Sequence, residues 1–306
     1  MGERKYLLPQ NCNIYKANLH CHTTLSDGKL TPEEIKEAYK GEGYSIVAFT
    51  DHRIVVPHPE LEDEEFLPLT ASEFDCNEPD VPWPATRTYH LNFISKDKNR
   101  TEFIPFTRVH SVEGVNKVIA DAAKEGFLCQ YNHPRWSIQK PEDFCGLKGL
   151  YAFEIYNTGC ELELFNGDAE YEYECYLRAG GSCGVTACDD NHRDFHHFGG
   201  FTYVYSPDLS YDNVIKALEN GDFYASTGPV IYVAYIEDGK LHISTSPCCK
   251  VGVFSDTRAC DVRFDRSGQD SITEAELNVG FAHKYLRITV IDSKGKKACT
   301  RAYFDI

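Results

Sequence analysis

Basic charge is scarce in this chain. Its 306 residues hold 31 Lys and Arg against 47 Asp and Glu, a formal net charge of −16. No Lys/Arg run offsets that deficit, so long nucleic acid is not expected as a partner: the field would repel it. Long apolar runs are also missing. Nothing approaches the length of a bilayer span, and no signal-type apolar core follows the charged start Met1–Gln10, so no membrane partner is expected. No Cys-x-x-Cys pair occurs among the 13 cysteines, although Cys21 and Cys248-Cys249 invite a metal reading. An odd count in a chain of this length does not suit a secreted disulfide framework. Reduced thiols in a cytoplasm are the simpler expectation, most of them small buried apolar groups. There is no internal repeat and no low-complexity segment.

What is present is ordinary globular material. Hydrophobic residues make up 42% and charged residues 25%, with 19 Tyr and 18 Phe to build a core. The length suits one large domain, or a large one plus a small one. Thr31-Pro32-Glu33-Glu34 reads as a helix start: Thr31 as N-cap, Pro32 at the first helical position, Glu34 closing a capping box. The helix should end near Gly41 or Gly43, and 45–50 follows as a buried strand. Val112, Val115, Val118, Ile119 and Ala122 fall at helical spacing, with strands expected at 127–131, 151–156 and 182–187. Leu162, Phe165, Ala169, Tyr173, Tyr176 and Leu177 predict one long amphipathic helix. Alternating strands and helices imply βα units and a mainly parallel sheet. Beyond Ser226-Thr227-Gly228-Pro229 the pattern becomes all-β. Short strands are expected at 230–236, 241–246, 250–254, 286–291 and 298–304, separated by turns such as Asp238-Gly239.

Residues of metal-ligand type gather where these strands end. His20 and His22 close the first strand, on the same side by alternation. Asp27 follows in Ser26-Asp27-Gly28. Asp51 and His52 come directly after the strand ending at Thr50, and Glu73 follows the apolar run 66–71. His90 lies in Tyr89-His90-Leu91, and His133 follows the strand ending at Tyr131. Asp190 and His192 follow the strand ending at Ala187. Taken singly, each has a plain reading as a turn residue or a hydrogen-bonded histidine. Together, the repeated coincidence of strand end and ligand type points to a metal site at the C-terminal face of a parallel α/β barrel. Imidazoles and carboxylates are the donors that zinc, manganese and iron prefer. Histidine is absent from 253–282, and only His242 and His283 fall in the C-terminal part.

The motifs Asn18-Leu19-His20-Cys21-His22-Thr23, Ser26-Asp27-Gly28 and Phe49-Thr50-Asp51-His52 resemble the opening of the PHP (polymerase and histidinol phosphatase) domain. Ser72-Glu73, Tyr89-His90-Leu91, Asn132-His133-Pro134 and Asp190-Asn191-His192 continue the match in family order over roughly 14–200. The resemblance implies an α/β fold. It would be a distorted seven-stranded β/α barrel of TIM-like form, over 1–228, while the strand and turn pattern alone marks 229–306 as a small sandwich-like all-β domain. The resemblance also implies two or three divalent ions, with His20, His22 and Asp190 on the first and Asp27 and His52 on the second. Glu73 would bridge those two, and His90, His133 and His192 would hold the third. The expected reaction is phosphoester hydrolysis of a small phosphorylated molecule. Asp51, His192 and Glu73 are the candidate catalytic groups, and His192 or Asp51 the candidate general acid. Arg53, Arg135 and Arg193 lie near ligands in sequence and are candidate phosphate binders, as the guanidinium fork suits phosphate. Glu154 ends another strand and reads equally as a site residue or a salt-bridge partner. His58, His110 and His196-His197 read as loop residues. Two other functions fit the same residues: an amidohydrolase-like C–N hydrolase, and a protein that holds metal without turnover.

Overall fold

The computed structural model describes residues 3–304 and 306. A short strand β1 (Lys5–Tyr6) precedes β2 (Asn13–Cys21). Helix α1 (Pro32–Gly41) starts as its sequence requires. Thr31 Oγ1 accepts from Glu34 N–H at 3.3 Å and Glu34 Oε2 from Thr31 N–H at 2.9 Å, the reciprocal capping box. Ile35 and Tyr39 bury one face of α1 against β3 (Ile46–Phe49) and its neighbours. Then come β4 (Leu67–Asn77), β5 (Thr88–Ser95), α2 (Val112–Lys124) and β6 (Phe127–Tyr131). A single turn, α3 (Pro141–Phe144), leads to β7 (Ala152–Asn157).

After β7 the structure departs from the expected long helix. Helix α4 (Thr158–Leu164) stops at Phe165, which is left-handed at φ 55°, and α5 (Glu170–Arg178) begins afresh. The reason lies in the turn between them. Gly167 O accepts from Asn157 N–H and Ala169 N–H donates to Ile155 O, so the chain folds back on β7. Gly167 is needed there, since a Cβ would come within 2.2 Å of Asn157 O. Phe165 is 85% exposed and Leu162 is exposed too, so the first part of that apolar spacing is not a core face, whereas Ala169, Tyr173, Tyr176 and Leu177 are buried.

Strand β8 (Gly184–Cys188) is followed by β9 (Phe201–Ser206), α6 (Tyr211–Asn220) and β10 (Phe223–Ser226). The paired path β2-β3-β4-β5-β6-β7-β8 is parallel except at β5, which runs against both neighbours. The expected barrel does not close. The free edge of β2 is taken by β9, antiparallel, pairing Asn13 with Ser206 through Ala17 with Thr202. No ladder joins β8 to β2. Single bonds bridge the gap instead, Asp190 N–H to His20 O at 2.9 Å and Asp189 N–H to Asn18 Oδ1 at 3.0 Å, and the Thr202 hydroxyl of β9 meets Ala187 of β8.

The remaining strands are β11 (Ile231–Glu237), β12 (Lys240–Cys248), β13 (Lys250–Phe254), β14 (Cys260–Phe264), β15 (Ile272–Asn278), β16 (Tyr285–Ile291), β17 (Lys297–Cys299) and β18 (Tyr303–Phe304). One sheet is ordered β1-β11-β12-β15. The other strands extend the large sheet, with β17 paired to β10. A common core that includes Leu8, Ile231, Leu241, Val251, Val253, Leu286 and Ile288 lies among these strands. Strands β14 and β15, not foreseen, are largely exposed and rich in polar and charged residues, so they show little of the apolar alternation that marks a strand. Among the described residues no helix is long and apolar enough to cross a membrane. All thirteen cysteines are free.

Candidate metal centre

Parallel pairing explains why residues far apart in sequence meet. Strands β2, β3, β6, β7 and β8 bring their C-terminal ends to one rim, where His20, His22, His52, His133, Glu154, Asp190 and His192 sit. Strand β4 is longer than β3 and overruns it. Phe49 pairs with Thr70, and the isolated bridge His52–Glu73 lies beyond that point, so Glu73 reaches the rim from inside a strand. Strand β5 is reversed. Its early residue His90 lies opposite Asp75 and so reaches the same rim from the other direction. The Asp27 turn closes tightly on β2: Gly28 N–H donates to Thr23 O, and a Cβ on Gly28 would meet His22 O at 2.4 Å.

All nine expected ligands come together around Glu73, which is 1% exposed. Its carboxylate oxygens lie 2.8 Å from His90 Nδ1, 3.2 Å from His52 Nδ1 and 3.3 Å from His22 Nε2. They also lie 3.4 Å from His20 Nε2 and 3.5 Å from His133 Nε2. Asp190 approaches His20 and His22 at 3.2 and 3.1 Å. Four overlapping groups have donor atoms within 4.8 Å of one another: His22-Asp27-His52-His192, His20-His22-Glu73, His20-His133-Asp190 and Glu73-His90-His133. This division differs from the expected one: His133 also joins His20 and Asp190, and Glu73 joins His90 and His133. His192 lies with Asp27, at 3.3 Å, rather than with His90 and His133.

The histidines are aimed by partners behind them. Glu154 accepts near His20 Nδ1 at 3.0 Å, leaving Nε2 toward the cluster, and its other oxygen takes the His133 N–H. Ser137 stands 3.1 Å from His133 Nδ1, and Asp190 O 3.1 Å from His192 Nδ1. Such outer contacts fix ring orientation at metal sites. His133 and Asp190 are both held at positive φ, 22° and 50°, backbone strain of the kind found at functional sites. The cluster fits divalent cations. Buried imidazole nitrogens and carboxylate oxygens face one another, and His22 Nδ1 and Asp190 Oδ1 have no hydrogen-bond partner among the described residues.

Electrostatics without bound ions agrees with that fit. Burial lowers the His20 and His22 pKa values, but nearby carboxylates, chiefly Asp190 and Glu73, more than reverse it, taking His22 to about 9. Burial raises Glu73 and Asp190, and the surrounding histidines reverse that too, holding both well below the usual carboxylate range. His52 is pushed down to about 4 by burial and by His22 and His90. Protons on His20 and His22 thus stand in for cationic charge and must leave when metal binds. A raised histidine pKa stabilises the fold below its unfolded value near 6.5 and loses that contribution as pH rises through the folded value. The chelated protein should therefore lose thermal stability relative to the metal-loaded protein between pH 6 and 9. Thermal unfolding with and without chelator across that range checks it; a gap independent of pH would refute it.

Other expected residues fall outside the cluster. Asp51 is buried, but its carboxylate accepts from Thr23 N–H (2.8 Å), Thr23 Oγ1 and Ser26 Oγ (2.6 Å), so it organises the loop carrying Asp27. Arg53 pairs with Asp75 at 3.4 Å and Arg135 with Glu172 at 2.8 Å, and neither lines the cavity above the donors. Arg193 does line that cavity of about 380 Å³, with Lys29, Trp83, Trp136, Cys160, Glu163 and His196. The sequence reading gave no role to the two tryptophans or Lys29. One usable signal was Trp136, three residues beyond His133. His58 and His110 stay away from the donor groups.

Fold and donor set together define an α/β protein with a candidate metal centre on the strand-end rim. No protein-family model matches the sequence, and no curated protein matches it. Among solved structures the chain is similar to a two-domain protein from Bacteroides vulgatus containing a predicted PHP-like metal-dependent phosphoesterase. Identity is 15%, coverage is 98% of each chain and the TM-score is 0.50. It is also similar to a protein from Bifidobacterium adolescentis named for a metal-dependent phosphoesterase. That match has 14% identity over 58% of this chain and 87% of the other, with a TM-score of 0.39. The first likeness establishes a shared fold over the full length, and it carries the PHP name that the sequence motifs suggested.

Proposed function

We propose that the protein is a metal-dependent phosphoesterase acting on a small phosphorylated substrate. The observation that carries this reading is the placement of Glu73, one carboxylate within 3.5 Å of five histidines belonging to overlapping donor groups. Two or three ions of zinc, manganese or iron are proposed. One set of ligands is His20, His22, Asp190 and Glu73, another Glu73, His90 and His133, and a third Asp27, His52 and His192. Divalent ions bound there supply a water nucleophile at neutral pH and neutralise phosphoryl oxygens. Residues 1–228 carry this chemistry, and residues 229–306 buttress it.

The chain's own groups bind and orient the ester. Arg193 and Lys29 offer positive charge to the cavity. His196 contributes a neutral donor. His192 N–H donates to His196 Nδ1 at 3.3 Å, which leaves the ring proton on Nε2. That Nε2 is buried beside the cavity without a hydrogen-bond partner among the described residues, 3.4 Å from Glu163. It is placed to donate to a phosphoryl oxygen.

Hydrolysis of an aryl phosphate by manganese- or zinc-loaded protein tests the reading, alongside metal content by elemental analysis. Activity should vanish on chelation. Arg193→Ala and His196→Ala should each raise KM about tenfold, the scale of one charge-assisted hydrogen bond, with metal content unchanged. A loaded protein inert toward phosphate esters, or one indifferent to chelation, would refute it.

A further inference from the structure

We infer that Trp83 and Trp136 form a wall on which a planar ring in the substrate's leaving group stacks. This rests on the phosphoesterase reading and narrows its substrate class. The chain contains two tryptophans, and both line the cavity above the donor cluster. Trp136 stands against two of the donors, its ring centroid 5.5 Å from His90 and 5.2 Å from His133. Trp83 lies 5.8 Å further out, tilted 43° to Trp136 rather than stacked on it, and is 70% exposed. An indole so exposed beside a polar cavity has gained little from folding, whereas a second ring laid on it would form an aromatic pair at ordinary spacing.

The cavity has two chemically distinct ends. At one, the tryptophans adjoin the Glu73-His90-His133 group. At the other, Arg193 and His196 share Glu163, and His196 is bonded to His192 of the Asp27-His52 group. An ester lying across the donors with its phosphoryl group toward Arg193 and His196 points its leaving group at the tryptophans. About 380 Å³ accommodates one phosphate and one ring or fused ring system within the cavity. The strongly acidic chain disfavours a long nucleic acid for a separate reason. The class is therefore a small phosphate ester with a planar ring on its leaving side.

The test compares benzyl phosphate with cyclohexylmethyl phosphate, whose leaving groups are similar in acidity but only one of which is planar. Full-length metal-loaded wild type, Trp83→Ala and Trp83→Phe are assayed, with metal content measured in each. Trp83→Ala should lower kcat/KM for benzyl phosphate about tenfold, within what a stacked ring contributes. Its effect on the cyclohexyl ester should be several times smaller, Trp83→Phe should restore most of the loss, and metal content should stay level. Equal losses on both esters, or none on either, would overturn the wall while leaving the phosphoesterase reading intact. Turnover of neither ester by loaded wild type would overturn the phosphoesterase reading itself, and the wall's role with it.

Discussion

Glu73→Gln should abolish most hydrolysis and release metal, while the chain stays folded. Removing one preorganised electrostatic group from an active site commonly costs on the order of 10²–10³ in kcat, and Glu73 serves more than one donor group. Its oxygens lie between His90 at 2.8 Å and His133 at 3.5 Å, with His20, His22 and His52 also in reach. A neutral amide keeps the shape but presents a donor face to imidazoles that a metal site needs as ligands. At least one ion per chain should be lost by elemental analysis. Asn132 Nδ2, which donates to Glu73 Oε1 at 3.0 Å, can still donate to the amide oxygen, so backbone packing should survive. Circular dichroism should show native secondary structure in the variant. A Glu73→Gln protein that retained its full metal complement and rate would remove the central carboxylate from the mechanism.

The residues of the candidate metal centre were legible because most are polar residues of ligand type next to an apolar strand, a local pattern that needs no knowledge of the fold. His133 and Asp190 illustrate it: both follow strands that apolar runs announce. Glu73 was found but misplaced. It sits inside β4, because β4 overruns β3, and strand length relative to a neighbour cannot be read from one segment. The reversal of β5 was hidden for a similar reason. His90 reaches the rim near the start of a strand, where parallel strands bring their ends, and direction depends on pairing. Barrel closure failed because β9 competes for the edge of β2, a contest between segments almost two hundred residues apart. Arg53 and Arg135 were singled out on sequence proximity alone, and unlike Arg193 they do not line the cavity. Arg135 follows His133 by two residues, yet its guanidinium turns away to Glu172. Helix 162–177 failed because Gly167 and the turn it permits outweighed the apolar spacing.

The residue that binds the centre to the fold was not a candidate at all. Asp189, beside the candidate ligand Asp190, is fully buried and accepts from Thr158 Oγ1 and Phe198 N–H at 2.7 Å. It also accepts from Tyr39 OH at 2.9 Å, Gly199 N–H at 3.0 Å and Gly200 N–H at 3.2 Å. Its own N–H donates to Asn18 Oδ1 at 3.0 Å. One carboxylate thus ties α1, α4, β2 and the segment entering β9 around the loop that carries Asp190 and His192. Asp189→Ala should destabilise the chelated protein by about 3–5 kcal/mol, since several buried donors lose their acceptor at roughly 1–3 kcal/mol each and water replaces only some of those bonds. Using chelated protein separates this from any stability contributed by bound metal. Asp189→Asn should recover only part of the loss. Its carbonyl oxygen still accepts, but its amide turns two new donors toward N–H groups that already need an acceptor. Metal affinity should fall in both variants, because the loop that presents Asp190 and His192 loses its anchor. Urea unfolding measures the first effect and metal titration the second. If Asp189→Ala unfolded within about 1 kcal/mol of wild type, below the cost of even one buried orphan donor, the loop would be held by its backbone bonds alone, and the metal ligands would not depend on this anchor.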